Sequence, residues 1–226
     1  MDKVMIGIPV HNDLETLRHT IKSIMKTTNF PFKLVIVESG STDGCFEYCD
    51  LIPKIYPWMD VEIIHTKREG PLKAYNLLFN KAIYYEMDLL LTQTDVIFYK
   101  LYKRDWLQMM YEIAKNKGVG AVTSINGGGV SGPDYIDGFF WVGGWCTYVP
   151  YRTLLKVGGF DEDFPNGYGV DIDWTYRIHL AELNVVRMNY YVDHHMMNER
   201  IHDIDPKTEE AKKEASKYFK KKWNIT

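Results

Sequence analysis

Cysteine is scarce in this chain: Cys45, Cys49 and Cys146 are the only three among 226 residues. An odd count without metal-type spacing excludes a disulfide framework and a structural zinc site, and reads as reduced thiols in a cytosolic protein. Long apolar runs are missing too. No stretch approaches the ~20 residues that span a bilayer, and the opening "MDKVMIGIPV" reads as a short strand and not as a signal peptide. No G-x-G-x-x-G follows that strand, and neither a P-loop nor a G-x-S-x-G elbow occurs. A nicotinamide dehydrogenase, a P-loop NTPase and a serine hydrolase are therefore disfavoured. Positive charge is not in excess: 27 Lys and Arg stand against 30 Asp and Glu, net −3, which gives no sign of a nucleic-acid partner. There is no internal repeat and no low-complexity linker.

What is present is the composition of a soluble globular domain, 46% hydrophobic and 25% charged. The charge is unevenly spread. Lys207 to Lys222 holds seven Lys and three Glu, leaving 20 basic and 27 acidic side chains elsewhere. Short apolar runs alternate with 3.6-period segments. "VMIGIPV", "KLVIVES", "VEIIHT" and "MDLLLTQTD" read as strands at 4–10, 33–39, 61–66 and 87–95. Leu14, Leu17, Ile21, Ile24 and Met25 mark a helix, with Asn12 or Asp13 as its cap. Pro71 suits a first helical position. This alternation predicts an α/β fold with a mainly parallel sheet covered by helices on both faces. Such sheets bind ligands beyond the carboxyl ends of their strands. "VHND", "ESGSTD", "TKREG" and "TQTD" fall at those ends, so all four belong on one rim.

The second half is less regular. "WLQMMYEIAKNKG" (106–118) reads as a helix ending in Gly, "VGAVTSI" as a strand, and 126–138 as a Gly-rich loop long enough to be functional. "FFWVGGWCTYVP" looks like one further strand. "PKTEEAKKEASKYFKKKW" is a Lys-rich helix.

Four groups can carry chemistry. Asp95 ends an apolar strand, where a carboxylate can hold a hard divalent cation against diphosphate or simply close a turn. Asp171 and Asp173 sit at a helix start, where either can serve as a general base or merely complement the helix dipole. His194 and His195 alternate faces in an extended segment, so at most one serves a metal. Trp141, Trp145 and Tyr148 offer faces for a sugar or for the core.

In this order the pieces resemble inverting glycosyltransferases of family 2, with a GT-A (nucleotide-diphospho-sugar transferase) fold. "IGIPVHNDLETLRHTIKSI", "KLVIVESGSTDG", "REGPLKAYNLLFNKA", "LLLTQTDV", "VGGFDEDFPNGYGVDIDWTYRIHLAEL" and "YVDHHM" carry the resemblance over nearly the whole chain. It implies one GT-A domain over 1–206, with a nucleotide-binding half at 1–98 and an acceptor and catalytic half at 99–206. The Lys-rich helix, 207–226, follows. It implies that Pro9, Val10, His11 and Glu38 line the nucleotide, and that Gln93 and Asp95 face the diphosphate. Asp95 and His194 would hold Mn²⁺ or Mg²⁺, Asp171 would be the general base, and Asp173 would fix the turn. The donor would be a UDP-, GDP- or dTDP-sugar, and the acceptor a glycan, a lipid-linked molecule or a protein. Three positions depart from the family pattern: Glu38-Ser39 for Asp-Asp, Gln93 for the first metal acid, and Val170 for the Glu before the base. The rival readings are a degenerate GT-A domain that binds nucleotide or glycan without turnover, and a sugar-1-phosphate nucleotidyltransferase. The chain reads as ending just after the catalytic core, without an appended acceptor domain. Its Lys-rich helix is read in two ways. One is a peripheral contact of a cytoplasmic protein with anionic lipid, through an edge of Tyr218, Phe219 and Trp223. The other is a solvated helix packed on the domain by those aromatics.

Overall fold

A computed structural model describes residues 3–125, 128–130, 140–194 and 206–225. Strands and helices alternate as far as Thr92: β1 (Val4–Val10), α1 (Leu14–Thr27), β2 (Phe32–Ser39), α2 (Cys45–Ile55), β3 (Asp60–Thr66), α3 (Pro71–Tyr84) and β4 (Asp88–Thr92), followed directly by the short β5 (Val96–Ile97). Then come α4 (Trp106–Ala114), β6 (Val119–Thr123), β7 (Gly128–Val130), β8 (Phe140–Val142), β9 (Cys146–Val149) and α5 (Tyr151–Val157). A 3₁₀ turn (Pro165–Gly167), α6 (Val170–Leu180), β10 (Asn184–Arg187), β11 (Asp193–His194) and α7 (Pro206–Trp223) complete the chain.

Seven strands form one sheet in the order β10-β6-β9-β4-β1-β2-β3. β1 pairs parallel with β2 and β4, and β2 pairs parallel with β3, so the ends of these four strands do share one rim. β9 alone runs antiparallel to its neighbours, β4 and β6. The stretch read as a single strand is thus two, β8 and β9, broken at Gly143-Gly144. A Cβ on Gly143 would stand 2.1 Å from the Trp145 ring, so the turn requires glycine there. β5 and β11 form a separate antiparallel pair beside the rim.

The period-2 pleat sorts the core into two layers. Ile6, Ile8, Leu34, Ile36 and Leu90 face α1, α2 and α4 on one side. Met5, Val35, Val37, Leu89 and Leu91 face α3, α6 and α7 on the other. Both faces are covered, which is why the strands read as continuous apolar runs. All three cysteines are free and buried. Burial pushes the Cys45, Cys49 and Cys146 thiols up to about 12, so they behave as small core groups.

The caps differ from expectation in one respect. Asp13 precedes α1, but its side chain accepts no hydrogen bond from the helix start. Asp43 takes that part from the next loop: one oxygen accepts from Leu14 N at 2.9 Å, and the other from Cys45 N at 3.0 Å. One carboxylate thus caps two helices, and the Asp13 carboxylate is left to accept from the Thr94 hydroxyl.

The lysine-rich α7 rests on the second layer. Ala215 and Phe219 are fully buried, and Tyr218 and Trp223 pack beside them. Burying a Phe side chain is worth about 1.5–3 kcal/mol. The aromatics therefore face inward, and the apolar edge suggested for lipid contact is spent on the domain. No helix among the described residues is long and apolar enough to cross a membrane.

Candidate active site

Four strand ends and one helix build the principal cleft. The ends of β1, β2, β3 and β4 and the start of α3 enclose a cavity of ≈ 460 Å³. Pro9, Val10, His11, Gln93 and Asp95 line it. So do residues that the sequence reading passed over: Asp13, Ser39, Arg68, Tyr75 and Thr94.

The rim is stitched by hydrogen bonds between consecutive strand ends. His11 Nδ1 lies 2.8 Å from the Ser39 carbonyl. A carbonyl only accepts, so Nδ1 carries the proton and Nε2 turns away from that bond. Asn12, at φ 51°, accepts from Thr42 N at 2.7 Å, and its own N–H donates to the Ser41 hydroxyl at 3.0 Å. Asn tolerates this left-handed conformation better than most residues. The two loops are thereby held together without an ion pair.

Glu38 stands behind the cleft wall and is not among the residues lining it. Its side chain is 0% exposed. One oxygen accepts from Ser41 N at 2.6 Å, and the other is 3.0 Å from His65 Nδ1. Burial pushes the Glu38 carboxyl up, but the hydrogen bonds from His65 and Ser41 outweigh it and hold it below its usual value. Conversely, burial pulls His65 down, while Glu38 and Asp50 outweigh that and raise it. Glu38 thus bonds its own loop and the neighbouring β3, and Ser39 beside it reaches the cavity.

At the other end of the cleft, β4 and β11 bring three polar side chains together. His194 Nε2 is 3.2 Å from Gln93 Oε1 and 3.6 Å from Asp95 Oδ1. Trp145 stacks on the imidazole, ring centroids 4.7 Å apart and planes within 10°, which fixes its orientation. Gln93 also donates to the Tyr75 hydroxyl at 2.8 Å, making a chain of His194, Gln93 and Tyr75. Among the described residues no three His, Cys, Asp or Glu are gathered for a metal. The donor set is one carboxylate, one imidazole and one amide oxygen. Hard cations such as Mn²⁺ and Mg²⁺ accept such oxygens and fill their remaining positions with water or phosphate. The residues therefore fit a divalent cation that is shared with a phosphate ligand. Tyr148, by contrast, is a core residue, fully buried and bonded to Asp88 at 2.6 Å.

Asp171 lies on α6, past Gly169, whose φ of 74° turns the chain into the helix. Its Oδ1 accepts from Ile172 N at 2.9 Å. Burial pushes the carboxyl up to about 6, against this weaker opposing bond. Burial likewise pushes the Tyr75 hydroxyl up to about 12, and the charges of Asp95 and Asp171 add to that. Tyr75 therefore stands in the fields of both carboxylates, and so ties the Asp171 side of the site to the Asp95 side.

Asp173, two residues on, is a different kind of carboxylate. It is 0% exposed and bonded to Arg177 Nε at 3.0 Å, Lys222 Nζ at 2.8 Å and Trp223 Nε1 at 2.8 Å. It anchors α7. Asn76 makes a similar staple on α3: it donates to Phe160 O at 2.9 Å and accepts from Phe160 N at 2.7 Å. A Cβ at Gly159 would stand 2.4 Å from Asn76 Oδ1, so glycine is needed there.

The strand ends of a mainly parallel sheet thus carry the cleft, with Asp95 and His194 close together at one side of it. Residues 5–138, more than half of the chain, match the profile of Glycosyl transferase family 2, and the chain belongs to that family. An uncharacterized glycosyltransferase of Rickettsia conorii is 33% identical over 98 residues, 43% of this chain and 15% of that protein. A mannosyltransferase of Pyrobaculum calidifontis, solved with GDP-Man and Mn²⁺, superposes with a TM-score of 0.64 at 18% identity, covering 82% of this chain and 54% of that one. S. aureus TarS residues 1–349, solved with UDP, gives 0.62 at 17% identity over 84% of this chain and 60% of that one. The fold is GT-A. The chain thus spans a small part of the curated relative's length and little more than half of these solved structures.

Proposed function

We propose that this protein transfers a sugar from a nucleotide-diphosphate donor to an acceptor hydroxyl, with inversion and with Asp171 as general base. The observation that carries the reading is the Asp171 carboxyl, raised to about 6 and sharing the Tyr75 neighbourhood with Asp95. A base is most useful when its pKa lies near the working pH and it faces the reacting oxygen. Asp171 takes the acceptor proton, and the acceptor oxygen forms its bond to the anomeric carbon. The bond from that carbon to the diphosphate breaks, and its electron pair leaves with the nucleotide. A single displacement of this kind inverts the anomeric centre.

The donor's base and ribose occupy the cleft of Pro9, Val10, His11 and Ser39, with Glu38 fixing the loop from behind. Its diphosphate meets Gln93, Asp95 and the cation of Arg68. Mn²⁺ or Mg²⁺ would be held by Asp95 and His194, with donor oxygens completing the shell, and would supply positive charge to the leaving diphosphate. The mannosyltransferase and GalNAc-T7 neighbours were both solved with Mn²⁺, the first with GDP-Man and the second with UDP, which supports this reading.

A thermal-shift screen of UDP-, GDP- and dTDP-sugars, with and without Mn²⁺, tests it. One nucleotide should raise the melting temperature, more so with Mn²⁺, following RT ln(1 + [L]/Kd). In Asp95→Ala the metal-dependent increment should vanish. Equal shifts with and without metal for every nucleotide would count against metal-bridged binding.

A further inference from the structure

A second groove, and not the strand-end cleft, is lined by Asp171, and it has a distinctive wall. It measures ≈ 710 Å³ and runs between the start of α6, with Trp141 and Tyr168, and the outer face of α7. That helix is divided lengthwise. Ala211, Ala215 and Phe219 face the core. Lys213, Lys217 and Lys220, spaced i, i+4, i+7, form one stripe along the groove. At 1.5 Å per residue the stripe is about 10 Å long.

Its charge is uncompensated by the described residues. Glu209 in the groove pairs with Lys212 at 2.9 Å, and Lys222 is taken by Asp161 and Asp173 on the buried side. No described carboxylate pairs with Lys213, Lys217 or Lys220. Lys213 and Lys217 are like charges at i, i+4, which destabilises a helix, and Glu210 and Glu214, three residues before each, offset only part of that cost. An anion lying along the stripe reverses that sign, and Lys serves phosphate well as a point charge.

We propose that this groove is the acceptor site, and that the acceptor carries phosphate: Lys213, Lys217 and Lys220 hold its phosphate while its hydroxyl reaches Asp171. The proposal rests on the glycosyltransferase reading for the role of Asp171, but the anion site stands on its own geometry. A phosphate-bearing polyol fits both ends, whether it arrives as a lipid headgroup or as a soluble chain. The proton goes to Asp171 and the new bond forms at the hydroxyl oxygen, so the phosphate is held and not consumed.

The test compares the intact chain with Lys213→Gln/Lys217→Gln/Lys220→Gln. All three positions lie off the core, so the variant should keep its circular dichroism and its donor thermal shift. One arm titrates a soluble glycerol phosphate oligomer at low and high salt, reading heat and the Trp141 indole resonance. The other sediments the protein with phosphatidylglycerol or phosphatidylcholine vesicles. The intact chain should bind the oligomer, the phosphatidylglycerol or both, with salt-sensitive affinity and a shifted Trp141 signal, and the variant should bind at least tenfold more weakly. Which arm responds identifies the source of the phosphate. Equal binding by the variant, equal binding of polyglutamate, or no binding in either arm at low salt would overturn the proposal. Neither arm contains donor. Phosphate binding without any nucleotide shift would therefore sink the transferase reading alone, and a nucleotide shift without phosphate binding would sink this proposal alone.

Discussion

The donor rim and the α6–α7 flank solve the same problem, placing a carboxylate where it can act, by opposite means. At the rim, parallel strands deliver residues in register, and backbone geometry does most of the positioning. Asp95 comes three residues after β4 ends, beside His11 and Ser39 from the adjoining loops. On the flank, side chains from distant segments do it. Asp173 is held by Arg177 on its own helix and by Lys222 and Trp223 from α7. Asp171, two positions away, forms no ion pair among the described residues and is pushed toward neutrality by burial. Neighbouring carboxylates on one helix are thus divided by what faces them: Asp173 anchors α7, and Asp171 is left as the proposed base. Desolvation destabilises the charged form of Asp171.

The comparison breaks most visibly at the anchor. Asp173→Ala should cost about 3 kcal/mol in urea unfolding, at the lower end for a broken buried pair. Lys222 keeps Asp161, and Arg177 keeps the carbonyls of Val157 and Gly159, which limits the loss. A change below about 0.5 kcal/mol would mean that α7 is not held there.

The next effect runs the other way. The folded-state pKa of Asp171 lies above its ordinary value of 3.8, so wild-type stability is lost as pH rises from about 4 through about 6. Asp171→Asn lacks that loss. It should match wild type near pH 3.5 and exceed it by about 1–3 kcal/mol at pH 7.5. A stability difference independent of pH would place the carboxylate in solvent.

The smallest effect tests the link between the two regions. Tyr75→Phe removes the hydroxyl that Gln93 bonds, and donor affinity should fall about 2–10-fold, the scale of one hydrogen bond. Isothermal titration with donor and Mn²⁺ measures it, and unchanged affinity would leave Tyr75 a packing residue.

How much was legible in the sequence follows the same division. The strand-end stretches from "VHND" to "TQTD" could be placed on one rim because apolar runs, turn residues and the parallel rule fix their geometry together. Ser39, Arg68 and Tyr75 were passed over, although Ser39 and Arg68 sit inside the quoted strand-end stretches. Nothing in a local pattern says which side chain of a loop turns inward. Glu38 was read as a nucleotide contact only through the family resemblance, and its bonds to Ser41 and His65 hold it behind the wall. The turn at Gly143-Gly144 was missed because its cause, the Trp145 ring, lies in three dimensions and not in the period. The lysines of α7 read as a solvated face. Only the inward turn of Phe219 and Trp223 shows which of them line a groove and which, like Lys222, tie the helix down. The expectations for 131–138, most of the Gly-rich loop, and for His195 lie outside the described residues.

The most direct test of the central claim sets binding against turnover in Asp171→Asn. The substitution keeps the shape of the side chain and removes its proton-accepting charge. Donor binding, measured by titration with Mn²⁺, should stay within about twofold of wild type, while transfer to acceptor falls by roughly 10²–10⁴-fold, the range for losing a general base. Full transfer activity in Asp171→Asn, with donor binding intact, would contradict the assignment and move the base elsewhere in the cleft.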